Sequence, residues 1–88
     1  MFYIYILEST QTGRWYIGSS ENVLKRLQKH NAGSVRSTKV FRPYKIIHTE
    51  AYATKKQARQ RELTIKKSGI IRAELKRKLQ SVALSSNG

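Results

Sequence analysis

The residues of this chain that could carry chemistry are two tyrosines, an arginine, a histidine and a glutamate, spread over most of its length. They are Tyr5, Tyr16, Arg26, His30 and Glu62. Phosphodiester hydrolysis needs an activated water, a cation facing the non-bridging oxygens and a group that helps the leaving oxygen. Phenol, guanidinium, imidazole and carboxylate groups can fill these roles. The sequence therefore offers candidates for each role in phosphodiester hydrolysis, provided that the fold brings the five side chains together.

The composition indicates a polyanionic partner. The 88 residues include 18 Lys and Arg against 5 acidic residues, which gives a formal net charge of +13. Such an excess is typical of proteins that bind nucleic acid and, less often, of proteins that bind an anionic membrane surface. No apolar run approaches the roughly 20 residues that a membrane span requires. We therefore expect nucleic acid, and no membrane, as the partner.

The acidic residues limit the metal site that this chain can build. The sequence contains no Asp and no Cys, which excludes disulfides and thiolate metal sites. A two-metal nuclease site needs several carboxylates to hold its cations about 3.5–4 Å apart. We therefore expect a single Mg²⁺ or Mn²⁺ ion with few protein ligands, and no small-molecule cofactor. The absence of Cys also fits a cytoplasmic, reducing compartment.

The order of the predicted elements is β-β-α-β-α-α. It favours an α+β fold, in which a small three-stranded antiparallel sheet is flanked by helices. Strands are predicted over residues 2–8, 14–18 and 44–52, because these stretches are rich in aromatic and β-branched residues. Turn residues ending at Gly13 join the first two strands into a hairpin. The first strand is apolar on both faces, so we expect it to be central.

Capping residues predict where the first two helices begin. Ser20 is the expected N-cap of the first helix, which runs to about Asn31. Thr54 and Gln57 predict a capping box for the second helix, which runs to about Lys67.

Apolar periodicity predicts a last helix over residues 70–79. The segment 33–43 between the first helix and the third strand is expected to be an ordered basic loop. We treat residues 1–80 as one domain and expect residues 81–88 to form a disordered tail.

The two tyrosines have a structural interpretation beside the chemical one. Tyr5 and Tyr16 lie on neighbouring strands, where their hydroxyls can meet. The pattern alone favours the other interpretation, in which both are core aromatic residues with hydrogen-bonded hydroxyls. A tyrosine has a reference pKa of about 10, so a base role at neutral pH requires nearby positive charge.

Glu62 also has two interpretations. It shares a helix face with Ala58 and Ile65, where a carboxylate is costly unless it is paired or bound to a metal. An ordinary ion pair with a basic residue of the same helix would satisfy it. The basic residues in reach are Arg59, Arg61 and Lys66.

Arg26 and His30 lie one helical turn apart on the first helix. Arg26 is either a solvated helix arginine or a guanidinium aimed at the scissile phosphate. His30 falls within the apolar stripe of the helix. It is either a satisfied, half-buried histidine or a hydrogen-bonding partner for phosphate, water or Tyr5. His48, in the third strand, is interpreted as a structural or a surface residue.

The order and spacing of these motifs resemble those of the GIY-YIG nuclease family, from about Phe2 to about Leu79. The resemblance is strongest to small stand-alone members related to the nuclease module of bacterial excision repair. The matching positions are Tyr3-Ile4-Tyr5, Tyr16-Ile17-Gly18, Arg26, His30-Asn31-x-Gly33, Arg42-Pro43 and Arg61-Glu62-x-x-Ile65-Lys66. Two positions depart from the family pattern: Tyr3 replaces the name-giving glycine, and Ser19 stands where some relatives have a lysine.

The resemblance implies an endonuclease that hydrolyses DNA, with a role in DNA repair. It implies that Glu62 holds the single cation, that Tyr16 activates the attacking water and that Arg26 stabilises the developing charge. Tyr5 and His30 support these groups. Branched, nicked or single-stranded DNA is the expected substrate, because no DNA-targeting domain is attached. A partner protein that supplies specificity is a further expectation. The alternative is a nucleic-acid-binding module of the same fold without catalysis.

The remaining basic residues are expected to bind the phosphate backbone, which supplies affinity without sequence information. Those expected to line the binding surface are Arg36, Lys39, Arg42, Lys55, Lys56, Lys66 and Lys67.

Overall fold

The computed structural model describes the backbone of residues 1–87 and the side chains of residues 1–79. The expected disordered tail, residues 81–88, lies outside the residues whose side chains are described. The limits of the domain therefore stay a prediction.

The described residues form an α+β fold around a three-stranded antiparallel sheet, as predicted. The strands are β1 (Phe2–Ser9), β2 (Trp15–Ser20) and β3 (Tyr44–Tyr52). Their order in the sheet is β2-β1-β3, so β1 is central and β2 forms a free edge. Both pairings are antiparallel, and Tyr5 of β1 lies opposite Gly18 of β2.

Side chains alternate between the two faces of β1 and create two separate apolar clusters. On one face, Ile4 and Ile6 pack with residues of β2 and the last two helices. On the other face, Tyr5 and Leu7 pack with residues of β2, β3 and the first helix. Because both faces are covered, β1 is buried from Ile4 to Leu7, in agreement with its unbroken apolar sequence.

The first helix, α1, spans Val23–Asn31 and begins later than predicted. Its N-cap is Asn22, whose side chain accepts a hydrogen bond from Lys25 N at 3.0 Å. The prediction of Ser20 as the N-cap was wrong. Ser20 ends β2, where it pairs with Tyr3, and strand pairing therefore holds it in an extended conformation.

The second helix, α2, spans Lys55–Lys67 and has the predicted capping box at its N-terminus. Ala58, Glu62 and Ile65 form its buried face, as their spacing predicts. The third helix, α3, spans Gly69–Asn87. No helix within the described part of the chain is both long and apolar enough to cross a membrane.

The segment 33–43 is ordered and contains a short 3₁₀ helix, Lys39–Phe41. It is attached to the β1–β2 turn: Ser9 Oγ donates to the Phe41 carbonyl at 2.6 Å, and Thr10 N donates to the Pro43 carbonyl at 2.9 Å. The guanidinium of Arg14 lies 4.4 Å from the centroid of the Phe41 ring. The predicted ordered loop is thus confirmed.

Candidate active site

The hairpin brings the two tyrosine motifs together across β1 and β2. Tyr5 lies directly opposite Gly18, and its ring covers the backbone there: a Cβ added at Gly18 would lie 2.5 Å from Tyr5 Oη. Only a glycine allows this close approach. The ring centroids of Tyr5 and Tyr16 are 6.4 Å apart. The second motif therefore needs its glycine in order to seat the tyrosine of the first.

Two polar atoms at the centre of this arrangement are buried without a hydrogen-bond partner among the described residues: Tyr5 Oη and Arg26 Nε. The Arg26 side chain lies close enough to the Tyr5 hydroxyl for its charge and its N–H groups to act on the pKa of Tyr5. Burial raises the pKa of Tyr5, and Arg26 only partly offsets that rise. Tyr5 is therefore a neutral phenol at neutral pH and can donate a hydrogen bond.

His30 is the third member of this cluster. Its ring is fully buried, with centroids 4.5 Å from Tyr16, 6.4 Å from Tyr5 and 6.0 Å from Tyr44. His30 Nδ1 lies 2.8 Å from the hydroxyl oxygen of the buried Thr38. Burial, together with the charge of Arg26, lowers the pKa of His30, so that the imidazole is neutral at pH 7.

Glu62 lies on α2, on the opposite face of the sheet, and is only 3% exposed. Its Oε1 accepts a hydrogen bond from Ser19 Oγ at 2.7 Å, and its Oε2 accepts one from Lys66 Nζ at 2.6 Å. Arg59 Nη1 lies 3.8 Å from Oε2. Burial acts to raise the pKa of Glu62, but the bonds from Lys66 and Ser19 and the nearby positive charges outweigh it and lower the pKa. The carboxylate is ionised at neutral pH.

The two halves of the site meet at the free edge of the sheet. Ser19 follows Gly18 on the edge strand β2 and holds Glu62 from one face, while the ring of Tyr5 covers Gly18 from the other. The negative charge of Glu62 acts across the sheet and adds to the rise in the pKa of Tyr5. All five candidate residues therefore gather around β2, with Tyr5, Tyr16, Arg26 and His30 on one face and Glu62 on the other.

A basic groove runs along this edge between α1 and α2, and Arg26 and Ser19 form part of its wall. Its other basic lining residues are Lys25, Lys29, Lys55, Lys56 and Arg59. We call this surface the edge groove. The prediction named Lys55 and Lys56 but missed Lys25, Lys29 and Arg59. The sequence spacing could have pointed to Lys25 and Lys29, because they directly precede Arg26 and His30 and are likewise one helical turn apart.

The other residues predicted to bind nucleic acid lie elsewhere. Arg36, Lys39 and Arg42 are exposed in the segment 33–43 and do not line the edge groove. Lys66 is paired with Glu62, and Lys67 is exposed at the end of α2. For these five residues, the predicted role in nucleic-acid binding stays an expectation.

The donor set of the site suits one hard cation with few protein ligands. Among the described residues, no group of three or more His, Cys, Asp or Glu side chains could enclose a metal ion. Mg²⁺ commonly retains several waters and takes one or two carboxylates together with a substrate phosphate. Glu62, ionised beside the edge groove, fits that pattern once Lys66 leaves Oε2.

This chain is similar to one family of catalytic domains and to several bacterial proteins. The family described as "GIY-YIG catalytic domain" matches residues 1–69. A UPF0213 protein of Staphylococcus aureus is 38% identical over 65 residues, which cover 73% of this chain and 78% of the relative. A UPF0213 protein of Staphylococcus saprophyticus matches with the same identity and coverage. The solution NMR structure of a UPF0213 protein from Bacillus halodurans is 31% identical and covers 96% of this chain and 85% of its own, with a TM-score of 0.49.

Proposed function

Because this chain belongs to the GIY-YIG catalytic domain family, we propose that it is a metal-dependent endonuclease that hydrolyses phosphodiester bonds in DNA. The observation that carries the proposal is the pair of buried, unpartnered polar atoms, Tyr5 Oη and Arg26 Nε. Burying a polar group without a partner costs about 1–3 kcal/mol. Two such groups side by side, next to a basic groove, suit an anionic ligand that accepts hydrogen bonds from both.

The residues divide the work of hydrolysis between the two faces of β2. Tyr16 gives its own phenolic proton to the neutral imidazole of His30, which packs against its ring, and takes the proton of the attacking water in its place. Arg26 neutralises the charge that builds on the phosphate, and Tyr5 donates a hydrogen bond to the same group. Glu62 would hold the cation. A bound Mg²⁺ or Mn²⁺ ion supplies Lewis-acid stabilisation of the phosphate oxygens.

The edge groove supports recognition of DNA by shape. Its basic side chains suit contacts to phosphate, which fix position and supply affinity but carry no sequence information. Contacts of this kind favour a substrate that is recognised by its shape and its backbone rather than by its base sequence. Branched, nicked or single-stranded DNA is therefore the proposed substrate. A repair role, a partner that adds specificity and a cytoplasmic location stay predictions.

The proposal is tested by single-turnover cleavage of labelled duplex, single-stranded, flap and four-way-junction DNA, with Mg²⁺, Mn²⁺ or EDTA. Wild type is compared with Glu62→Gln and with Glu74→Gln, a matched variant at an exposed glutamate of α3. Cutting that requires metal and is lost only in Glu62→Gln is the expected result. Full activity of Glu62→Gln would refute the assignment of Glu62.

One observation favours a second function, a binding module without catalysis. Both oxygens of Glu62 are already hydrogen-bonded, to Ser19 and to Lys66, and no second carboxylate joins them in the described residues. In that case DNA binds in EDTA and in either metal, with similar affinity for wild type and Glu62→Gln, and no substrate is cut under any condition. The same panel of DNAs therefore separates the two functions.

A further inference from the structure

Thr38 is a buried polar residue to which the proposed mechanism gives no role. It is 3% exposed and lies just before the 3₁₀ helix of the segment 33–43. Its hydroxyl contacts two groups: Oγ1 lies 2.8 Å from His30 Nδ1 and 3.3 Å from the carbonyl oxygen of Val35. This contact joins the segment 33–43 to the histidine of the site.

The position of one proton follows from these two contacts. A carbonyl oxygen can only accept, so the hydrogen bond between Thr38 Oγ1 and the Val35 carbonyl, which also accepts from Thr38 N and Lys39 N, uses the single hydroxyl proton of Thr38. Thr38 Oγ1 can then only accept a hydrogen bond from the imidazole, so His30 Nδ1 is the donor. The opposite assignment would make one of these two hydrogen bonds instead of both, and it would place an N–H on Nε2 of the buried His30, where no acceptor lies among the residues whose side chains are described. Since the imidazole of His30 is neutral at pH 7, a proton on Nδ1 leaves Nε2 without one.

The free nitrogen lies at the end of the ring away from Thr38. No hydrogen bond to Nε2 is formed by any residue whose side chain is described, whereas the ring packs against Tyr16 at 4.5 Å between centroids. A histidine with a proton on Nδ1 accepts a proton or a hydrogen bond through Nε2. The other tautomer would present an N–H there instead, which could not help Tyr16 to act as a base.

We propose that Thr38 is a positioning residue that holds His30 as the Nδ1–H tautomer, with the Nε2 lone pair available to the reaction centre. The inference rests on the proposed nuclease function, in which His30 supports Tyr16. It adds a residue that touches neither DNA nor metal and that fixes the direction in which the imidazole can take a proton.

The test combines NMR with cleavage in wild type, Thr38→Val and Thr38→Ser. Valine keeps the shape of threonine without the hydroxyl, and serine keeps the hydroxyl. The tautomer is read from two-bond ¹H–¹⁵N correlations of ¹⁵N-labelled histidine, without DNA or metal, above the usual imidazole pKa. The chain has two histidines, and a His48→Gln variant assigns the signals of His30.

We expect wild type and Thr38→Ser to show the Nδ1–H tautomer and Thr38→Val to move toward Nε2–H. Single-turnover cleavage by Thr38→Val should fall at least about tenfold, as expected when a proton acceptor is lost, while DNA affinity changes less than about twofold. A wild-type Nε2–H tautomer, or an unchanged tautomer in Thr38→Val, would overturn the inference.

The proposed nuclease function and the proposed role of Thr38 can be refuted separately. If wild type cuts no DNA, the proposed nuclease function is overturned, and with it the catalytic purpose of the contact, while the NMR result still decides what Thr38 does to His30. If Thr38→Val does not fold, the wild-type tautomer alone supports or overturns the assignment.

Discussion

Glu50, a carboxylate of the sheet, connects the helix that carries Glu62 to β3, and neutralising this carboxylate makes a quantitative test. Glu50, on β3, accepts four hydrogen bonds. Its Oε1 accepts from Tyr52 Oη at 2.7 Å and from Arg61 Nε at 2.9 Å. Its Oε2 accepts from His48 Nε2 at 2.9 Å and from Arg61 Nη2 at 3.3 Å. Arg61 lies on α2, so Glu50→Gln weakens the connection between this helix and the sheet.

The expected magnitude follows from the pKa of Glu50. Burial alone would raise it, but the hydrogen bonds from Arg61, His48 and Tyr52 and the charge of Arg61 dominate and lower it from 4.5 to about 2. That difference corresponds to about 3 kcal/mol of stability. This value is an upper limit, because the Glu50 side chain is 22% exposed and water screens part of the interaction.

The direction in which the stability contribution of Glu50 changes with pH follows from the lowered pKa of Glu50 in the folded state. The contribution of Glu50 is fully present above pH 4.5, the ordinary value, and is lost as the pH falls through the folded value of about 2. At pH 7, Glu50→Gln should therefore lower the free energy of unfolding by up to about 3 kcal/mol. Near pH 2 the two proteins should be nearly equal in stability.

The assay is urea unfolding, followed by circular dichroism, at several pH values between 2 and 7. Glu74→Gln is the control, because it makes the same change in charge at an exposed position of α3. A constant difference between wild type and Glu50→Gln over the whole pH range would refute the reasoning, since the effect could then not come from the ionisation of Glu50.

Three further results follow from the site. Tyr5→Phe should keep or raise the free energy of unfolding, by up to about 1 kcal/mol, because it removes a buried hydroxyl without a partner, while single-turnover cleavage falls at least about tenfold. Gly18→Ala should lower the free energy of unfolding in urea by about 1–3 kcal/mol, because the added Cβ contacts the buried Tyr5 ring. Gly69→Ala is the control: the nearest atom to its added Cβ is 3.8 Å away, so the free energy of unfolding should change by less than about 0.5 kcal/mol. Lys66→Met should tighten Mn²⁺ binding several-fold in a calorimetric titration, because it frees one oxygen of Glu62; unchanged or weaker binding would contradict that competition.

The parts of the fold that were predictable from sequence depend on local patterns. The alternation along β1 is set by neighbours two residues apart, so it assigned both faces correctly. The capping box at Thr54 uses only residues within one helical turn, and it too is present. The start of α1 was misplaced for a non-local reason, because the pairing of Ser20 with Tyr3 extends β2 through the predicted cap.

The composition of the edge groove was harder to predict, because it depends on how two helices sit on opposite faces of one edge strand. Lys25 and Lys29 come from α1 and Arg59 from α2, and exposed lysines and arginines carry no pattern that marks which of them converge. Thr38 was missed for a related reason. Its contact to His30 spans eight residues and depends on how the segment 33–43 folds back on α1.

Glu62 shows why helix periodicity could not decide between an ion pair and a metal ligand. The ion pair exists, since Lys66 Nζ lies 2.6 Å from Glu62 Oε2. It does not exclude the metal role, because the two partners differ in mobility: the side chain of Lys66 is 43% exposed, while that of Glu62 is 4% exposed and is held by Ser19. A lysine on a flexible, solvated stem can leave, whereas the carboxylate cannot turn away. The same geometry therefore satisfies a buried charge when no cation is bound and keeps the ligand in place for one.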